Sequence, residues 1–170
     1  MKVVIADTSP INYLILIEEI DLLRKLYTRI VIPPEVFQEL ISAGAPPEVA
    51  AWMQSRPTWV KVRSPLVTAP VASALTEAEL DAGEQAAIRL ALVEHDVLLL
   101  IDEAIGRSVA AQLGIANTGT LGVLVAAAEV GLVDLRISLS RLLSTNFRIS
   151  QSLINKLLTE AHQRNPNDDL

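Results

Sequence analysis

Cysteine is absent from the 170 residues and histidine occurs twice. A disulfide framework, a thiolate nucleophile and cysteine-ligated zinc are therefore excluded, and two imidazoles are too few for an ordinary histidine-built zinc centre. A cytoplasmic setting is expected. Aromatic residues make up 4% of the chain against 51% hydrophobic residues in all, a balance that suits helices packed on a buried parallel sheet better than an aromatic-rich β-sandwich. Long apolar runs are missing too. The opening run Val3-Val4-Ile5-Ala6 stops at Asp7, short of the roughly 7 to 15 apolar residues of a secretory segment. The longest uncharged stretch, 108–128, contains Gln112, Asn117, Thr118, Thr120 and three glycines, unlike the ~20 predominantly apolar residues of a membrane span. No membrane partner is expected.

Basic charge is scarce where acids are dense. The net charge is −6, which argues against coating nucleic acid by bulk electrostatics. Between Leu66 and Glu103 eight acids face the single base Arg89, whereas five bases face three acids between Arg136 and Leu170. An acidic centre beside a mildly basic end fits a metal site next to an anionic substrate, although charge alone fits solvated helix faces better.

What is present reads as strands alternating with helices. The run 3–6 is a buried strand, and Asp7-Thr8-Ser9-Pro10 announces a helix. Short helices follow over 11–17 and 22–27, then a strand over 29–32. Pro33-Pro34 opens a helix through Ser42, Pro46-Pro47 a helix to about Ser55, and 59–63 reads as a strand. The stretch 64–74 is linker-like but too short to separate domains. Thr76-Glu77-Ala78-Glu79 has capping-box spacing ahead of a long helix running to about His95. The run 97–101 is the strongest strand signal, ended by Asp102-Glu103 and followed by a helix through Leu113. Asn117-Thr118-Gly119-Thr120 leads into a helix through Glu129, and 149–164 forms a last helix before a polar tail. Near-continuous apolar strands separated by helices imply an α/β fold, with a mainly parallel sheet covered on both faces.

In such sheets ligands bind beyond the carboxyl ends of the strands. Asp7 and the pair Asp102-Glu103 each follow a strand directly and occupy that rim. Each acid alone has a plainer role: Asp7 or Asp102 as a helix cap, Glu39 as a solvated position, Glu84 as a complement to a helix dipole. Helical spacing places Glu39 on the flank of its helix, whose apolar face is Val36, Phe37, Leu40 and Ile41. Glu84 shares a face with Ile88 and Ala91, where an ordinary surface glutamate would be misplaced. Carboxylates gathered on one rim repel one another unless a cation neutralises them. Oxygen-only ligation selects a hard ion, Mg²⁺ or Mn²⁺. A pair of such ions about 3.5–4 Å apart can activate water and stabilise the leaving oxygen in phosphodiester hydrolysis.

These residues resemble a known family. Ile5-Ala6-Asp7-Thr8-Ser9-Pro10, Glu39 in its Pro-initiated helix, Leu80-Asp81-Ala82-Gly83-Glu84, Leu100-Ile101-Asp102-Glu103 with Gly106-Arg107, and Gly119-Thr120-Leu121-Gly122-Val123-Leu124 together resemble the PIN domain. They are most similar to its VapC-like branch with Gly-Glu and Ile-Asp-Asp motifs. The resemblance covers roughly residues 1–150 as a PIN-like nuclease domain, with 151–170 a C-terminal helix and polar tail of the same domain. It implies a three-layer α/β/α fold and a metal-dependent endoribonuclease with the family's acids on Asp7, Glu39, Glu84 and Asp102. It also implies a homodimer, often the toxin of a toxin–antitoxin pair, with RNA as substrate and a small antitoxin protein as partner. Asp7, Glu84, Asp102 and Glu103 are the expected metal ligands, although many relatives have aspartate at the Glu84 position and this branch often has a second aspartate where Glu103 stands.

Thr8, Thr118 and Thr120 are candidate substrate contacts through hydroxyls or helix-start N–H groups, with capping as the alternative for Thr8. Arg107 is placed either to clamp a phosphate or to pair with a rim carboxylate. Trp52 and Trp59 read as packing residues more readily than as base-stacking ones. Two other functions remain open at this level: a catalytically silent PIN-like binding or scaffold module, and a Mg²⁺-dependent phosphatase or phosphotransfer module. The haloacid-type phosphatase pattern has a second aspartate two places after the first, where this chain has Ser9.

Overall fold

The computed structural model describes residues 2–64 and 78–164. By its contacts the chain divides into two compact units, Met1–Thr120 and Leu121–Leu170.

The first unit is built on a five-stranded sheet: β1 (Val3–Ala6), β2 (Ile30–Ile32), β3 (Val60–Val62), β4 (Val97–Leu100) and β5 (Asn117–Thr118). Their order is β3-β2-β1-β4-β5, and every pairing is parallel. Parallel neighbours require crossovers, which helices supply. These are α1 (Thr8–Leu16), α2 (Asp21–Tyr27), α3 (Pro34–Leu40), α4 (Pro47–Gln54), α5 (Ala82–Leu92) and α6 (Ala104–Gln112). This is the α/β architecture expected of a parallel sheet covered on both faces. The central strands are sealed, with Ile5, Ala6, Leu99 and Leu100 all at 0% exposure, as expected of apolar runs covered on both faces. Ile5, Val31 and Leu99 of the sheet share one core with Ala87, Ile88, Leu90 and Ala91 of α5 and Val109 and Ala110 of α6.

Register fixes the functional rim. Ala6 lies opposite Leu100, and the Asp7 N–H donates to the Leu100 carbonyl at 2.9 Å. Asp7 thus leaves β1 beside the end of β4, from which Asp102 emerges two residues later.

Helix α7 (Thr120–Glu129) begins where the first unit ends. The second unit also holds α8 (Leu135–Leu143) and α9 (Gln151–Arg164). Helix α8 starts at Asp134, whose Oδ1 accepts from the Ile137 N–H at 3.1 Å.

Three local readings differ from expectation. The α5 cap is Asp81, which forms the capping box with Glu84; Ala78 and Glu79 lie ahead of the helix, and Thr76 and Glu77 fall outside the described residues, as does most of the linker-like stretch. Asn117-Thr118, read only as leading into the next helix, forms a two-residue edge strand, because Ile101 N–H and Leu99 N–H donate to Thr118 and Ala116 carbonyls. Helix α8 was not expected at all.

Candidate active site

Asp7 is 2% exposed and occupies the N-cap position of α1 with extended backbone (φ −80°, ψ 174°). An aspartate there ordinarily accepts from the N–H two or three residues on, yet this side chain makes no such capping bond. Its Oδ1 is buried without a hydrogen-bond partner. Burial pushes the Asp7 carboxyl up from 3.8 to about 8, with the Thr8 N–H opposing and the charges of Asp81, Glu84 and Glu39 reinforcing the rise.

Glu39 reaches this group from α3. The Thr8 hydroxyl donates to Glu39 Oε2, so the residue after Asp7 orients the second acid. Gly83 explains how the two come together: a β-carbon there would stand 2.9 Å from Glu39 Oε2 and 3.2 Å from Asp7 Oδ1. Two carboxylates occupy the space that a side chain at position 83 would need.

Glu84, on the first turn of α5, is 5% exposed. The Asp81 N–H donates to its Oε2 at 3.0 Å, while the Glu84 N–H donates to Asp81 Oδ1 at 2.8 Å. Its Oε1 is buried without a partner, 3.0 Å from where a β-carbon at Gly106 would be. Burial raises the Glu84 pKa, the Asp81 N–H lowers it, and the charges of Asp81, Glu103 and Glu39 raise it further.

Asp102 is satisfied differently. Its Oδ1 accepts from the Thr120 N–H and its Oδ2 from the Thr120 hydroxyl, both at 2.7 Å. Gly119 makes this approach possible, since a β-carbon there would lie 2.5 Å from Asp102 Oδ1. Burial raises the Asp102 pKa; the two Thr120 bonds and then Arg107 lower it, and Glu103 raises it. The Arg107 guanidinium donates from Nη1 to the Asp102 carbonyl at 2.7 Å, so it is tied to the rim while remaining exposed.

The other anticipated residues divide accordingly. Glu103 is exposed at the N-cap of α6, and its charge reaches both Glu84 and Asp102. Thr118 is half-buried in β5. Thr120 is fully buried, and its N–H and hydroxyl both hold Asp102. Trp52 and Trp59 pack edge-to-face, 5.9 Å between centroids. Sequence reasoning missed Asp81, although Asp81 and Glu84 have the same cap spacing that was read five residues too early.

Asp7, Glu39 and Glu84 therefore share one neighbourhood by contact and charge, and Asp102 joins it through Glu103. Among the described residues no three Asp, Glu or His side chains already converge as a ready-made ligand set. The donor chemistry nevertheless fits a hard divalent cation, because every donor is oxygen and two buried carboxylate oxygens lack partners.

A family model described as a PIN domain matches residues 3–163. The chain belongs to the PIN-domain family. No curated protein gives a significant match. PIN domains are nucleases in general and use divalent metals; they bind RNA. Among the described residues, two of the three buried acids of this PIN domain, Asp7 and Glu84, lie in the rim described above. No helix among the described residues is long and apolar enough to cross a membrane.

Proposed function

We propose that this PIN domain is a Mg²⁺- or Mn²⁺-dependent endoribonuclease, with Asp7, Glu84 and Asp102 as metal ligands and Glu39 completing the site. The observation that carries this reading is the pair of buried, unpartnered oxygens, Asp7 Oδ1 and Glu84 Oε1, at the carboxyl end of a parallel sheet. A buried polar atom without a partner costs about 1–3 kcal/mol, more when charged, and two on neighbouring acids call for a shared positive ligand. The cation would supply Lewis acidity and an activated water for attack on a phosphodiester.

The chain's own groups do the rest. The Thr8 hydroxyl fixes Glu39, and Thr120 fixes Asp102 and so acts on substrate only through it. Arg107, anchored at one nitrogen to the Asp102 carbonyl, retains further N–H donors for a phosphate oxygen. Glu103 is exposed and adjacent, a ligand that arrives by rotating its side chain. Thr118 lies on the neighbouring strand as a substrate contact.

A VapC-like toxin role follows from the motifs quoted above, with a homodimer as the working form and a small antitoxin as partner. The test is cleavage of single-stranded RNA by the wild type and Asp7→Asn, with Mn²⁺ and with EDTA. Mn²⁺-dependent cleavage lost in Asp7→Asn supports the reading. Cleavage that survives EDTA, or that Asp7→Asn retains, refutes it.

A further inference from the structure

The first turn of α5 touches every acid of the Asp7 side of the site. Asp81 caps it, Gly83 leaves room for Glu39 Oε2 and Asp7 Oδ1, and Glu84 carries the unpartnered Oε1. The box is reciprocal: the Asp81 side chain holds the Glu84 N–H, and the Asp81 N–H holds Glu84 Oε2. A capping box normally completes a helix end by engaging both partners with backbone N–H groups. Here it also has a directional result. With Oε2 fixed on the turn, Glu84 has one oxygen left, and that oxygen lies against Gly106 in the buried rim.

We propose that Asp81 is a positioning residue whose cap of the α5 first turn aims Glu84 Oε1 into the metal site. The inference rests on the metal-binding reading above and adds a residue that does not itself touch the cation. Its Oδ1 is engaged by the Glu84 N–H, so its work is to hold the turn from which the Asp81 N–H grips Glu84. Groups that orient a metal ligand in this way typically change metal affinity by about 10- to 100-fold when removed.

The experiment is Mn²⁺ titration by calorimetry of the full chain and of Asp81→Ala, Asp81→Ser and Asp81→Asn, well below their melting temperatures measured in EDTA. Ser and Asn supply a neutral acceptor for the Glu84 N–H. The inference predicts a Kd about tenfold or more weaker for Asp81→Ala, restored to within about threefold by Ser and by Asn. A lower apo melting temperature for Asp81→Ala with an unchanged Kd would mean that Asp81 only caps a helix, and would overturn the inference alone. Equal weakening in Ala, Ser and Asn would make the Asp81 charge itself the determinant and would also overturn it. No Mn²⁺ binding by the wild type would instead remove the metal reading, and this inference with it.

Discussion

Asp7 and Asp102 leave neighbouring parallel strands at the same edge of the sheet, both buried deeply enough to raise their pKa values, and the protein answers the two burials in opposite ways. Asp102 meets a hydroxyl and an N–H from Thr120, one for each oxygen, with Arg107 near. Asp7 meets acids: Glu39, Asp81 and Glu84 all push its pKa further up, and its Oδ1 has no partner. Neutral donors make the first aspartate a stable fixture without outside help. The second is costly as an anion unless a proton or a cation arrives. The Asp102 side is thus preassembled, and the Asp7 side is arranged to receive positive charge.

The largest effect that would sharpen this contrast comes from Glu84→Gln. Replacing the carboxylate that bears the second unpartnered oxygen should weaken Mn²⁺-dependent cleavage by more than the roughly 10- to 100-fold typical of an outer-shell partner. Near-wild-type rates would place the reactive centre away from Glu84.

Stability in EDTA separates the two aspartates next. Asp102→Ala strands the buried Thr120 N–H and hydroxyl, at about 1–3 kcal/mol for each unsatisfied group. That corresponds to ~2–4 °C of melting temperature per kcal/mol in a chain of this size. Asp7→Ala strands no such donor pair and should lose much less at pH 8. Equal losses would erase the distinction drawn between the two sites.

A pH series isolates the Asp7 charge. Its folded pKa of about 8 lies above the ordinary 3.8, so the folded state holds the proton more tightly than the unfolded chain. Stability from this group is fully present below pH 3.8, falls as pH rises between 3.8 and 8, and levels off above. Metal-free wild type should therefore melt lower at pH 8 than at pH 5.5, and Asp7→Asn should flatten that decline. Identical pH profiles for the two would show that Asp7 is not held in this state.

The smallest effect concerns Gly83. Alanine there gains up to about 1 kcal/mol in helix preference, but its β-carbon must displace the ends of Glu39 and Asp7. Apo stability should change by less than about 1 kcal/mol while the Mn²⁺ Kd weakens several-fold. A weakened fold with unaltered metal affinity would assign Gly83 to packing alone.

Much of this arrangement was legible in the residues. Strands β1 and β4 are uninterrupted apolar runs that end on acids, so the rim positions of Asp7 and Asp102 follow from pattern alone. Glu84 betrayed itself by sitting among Ile88 and Ala91. Strand β5 was missed because two residues, Asn117 and Thr118, carry no hydropathy signal; only their carbonyl and amide pairing with β4 makes them a strand. Helix α8 was missed because its run Leu135–Leu143 mixes Ser138, Ser140, Arg136 and Arg141 among its apolar residues. The α5 capping box was misplaced because Thr76 and Asp81 both precede a glutamate by three residues, and spacing alone does not choose between them. Most important, nothing in the order of residues says which carboxylate oxygens find donors. That Thr120 would serve Asp102, leaving Asp7 Oδ1 and Glu84 Oε1 bare, depends on Gly119, Gly83 and Gly106 allowing contacts between segments far apart in the chain.

The central claim is that the bare oxygens of Asp7 and Glu84 exist to bind a divalent cation. Anomalous scattering from crystals of the wild-type protein grown with Mn²⁺ tests it most directly. The account predicts a manganese peak bonded to Asp7 Oδ1 and Glu84 Oε1, absent from Asp7→Asn crystals grown in the same way; an ordered wild-type rim with no peak there, or a peak held by other residues alone, would contradict it.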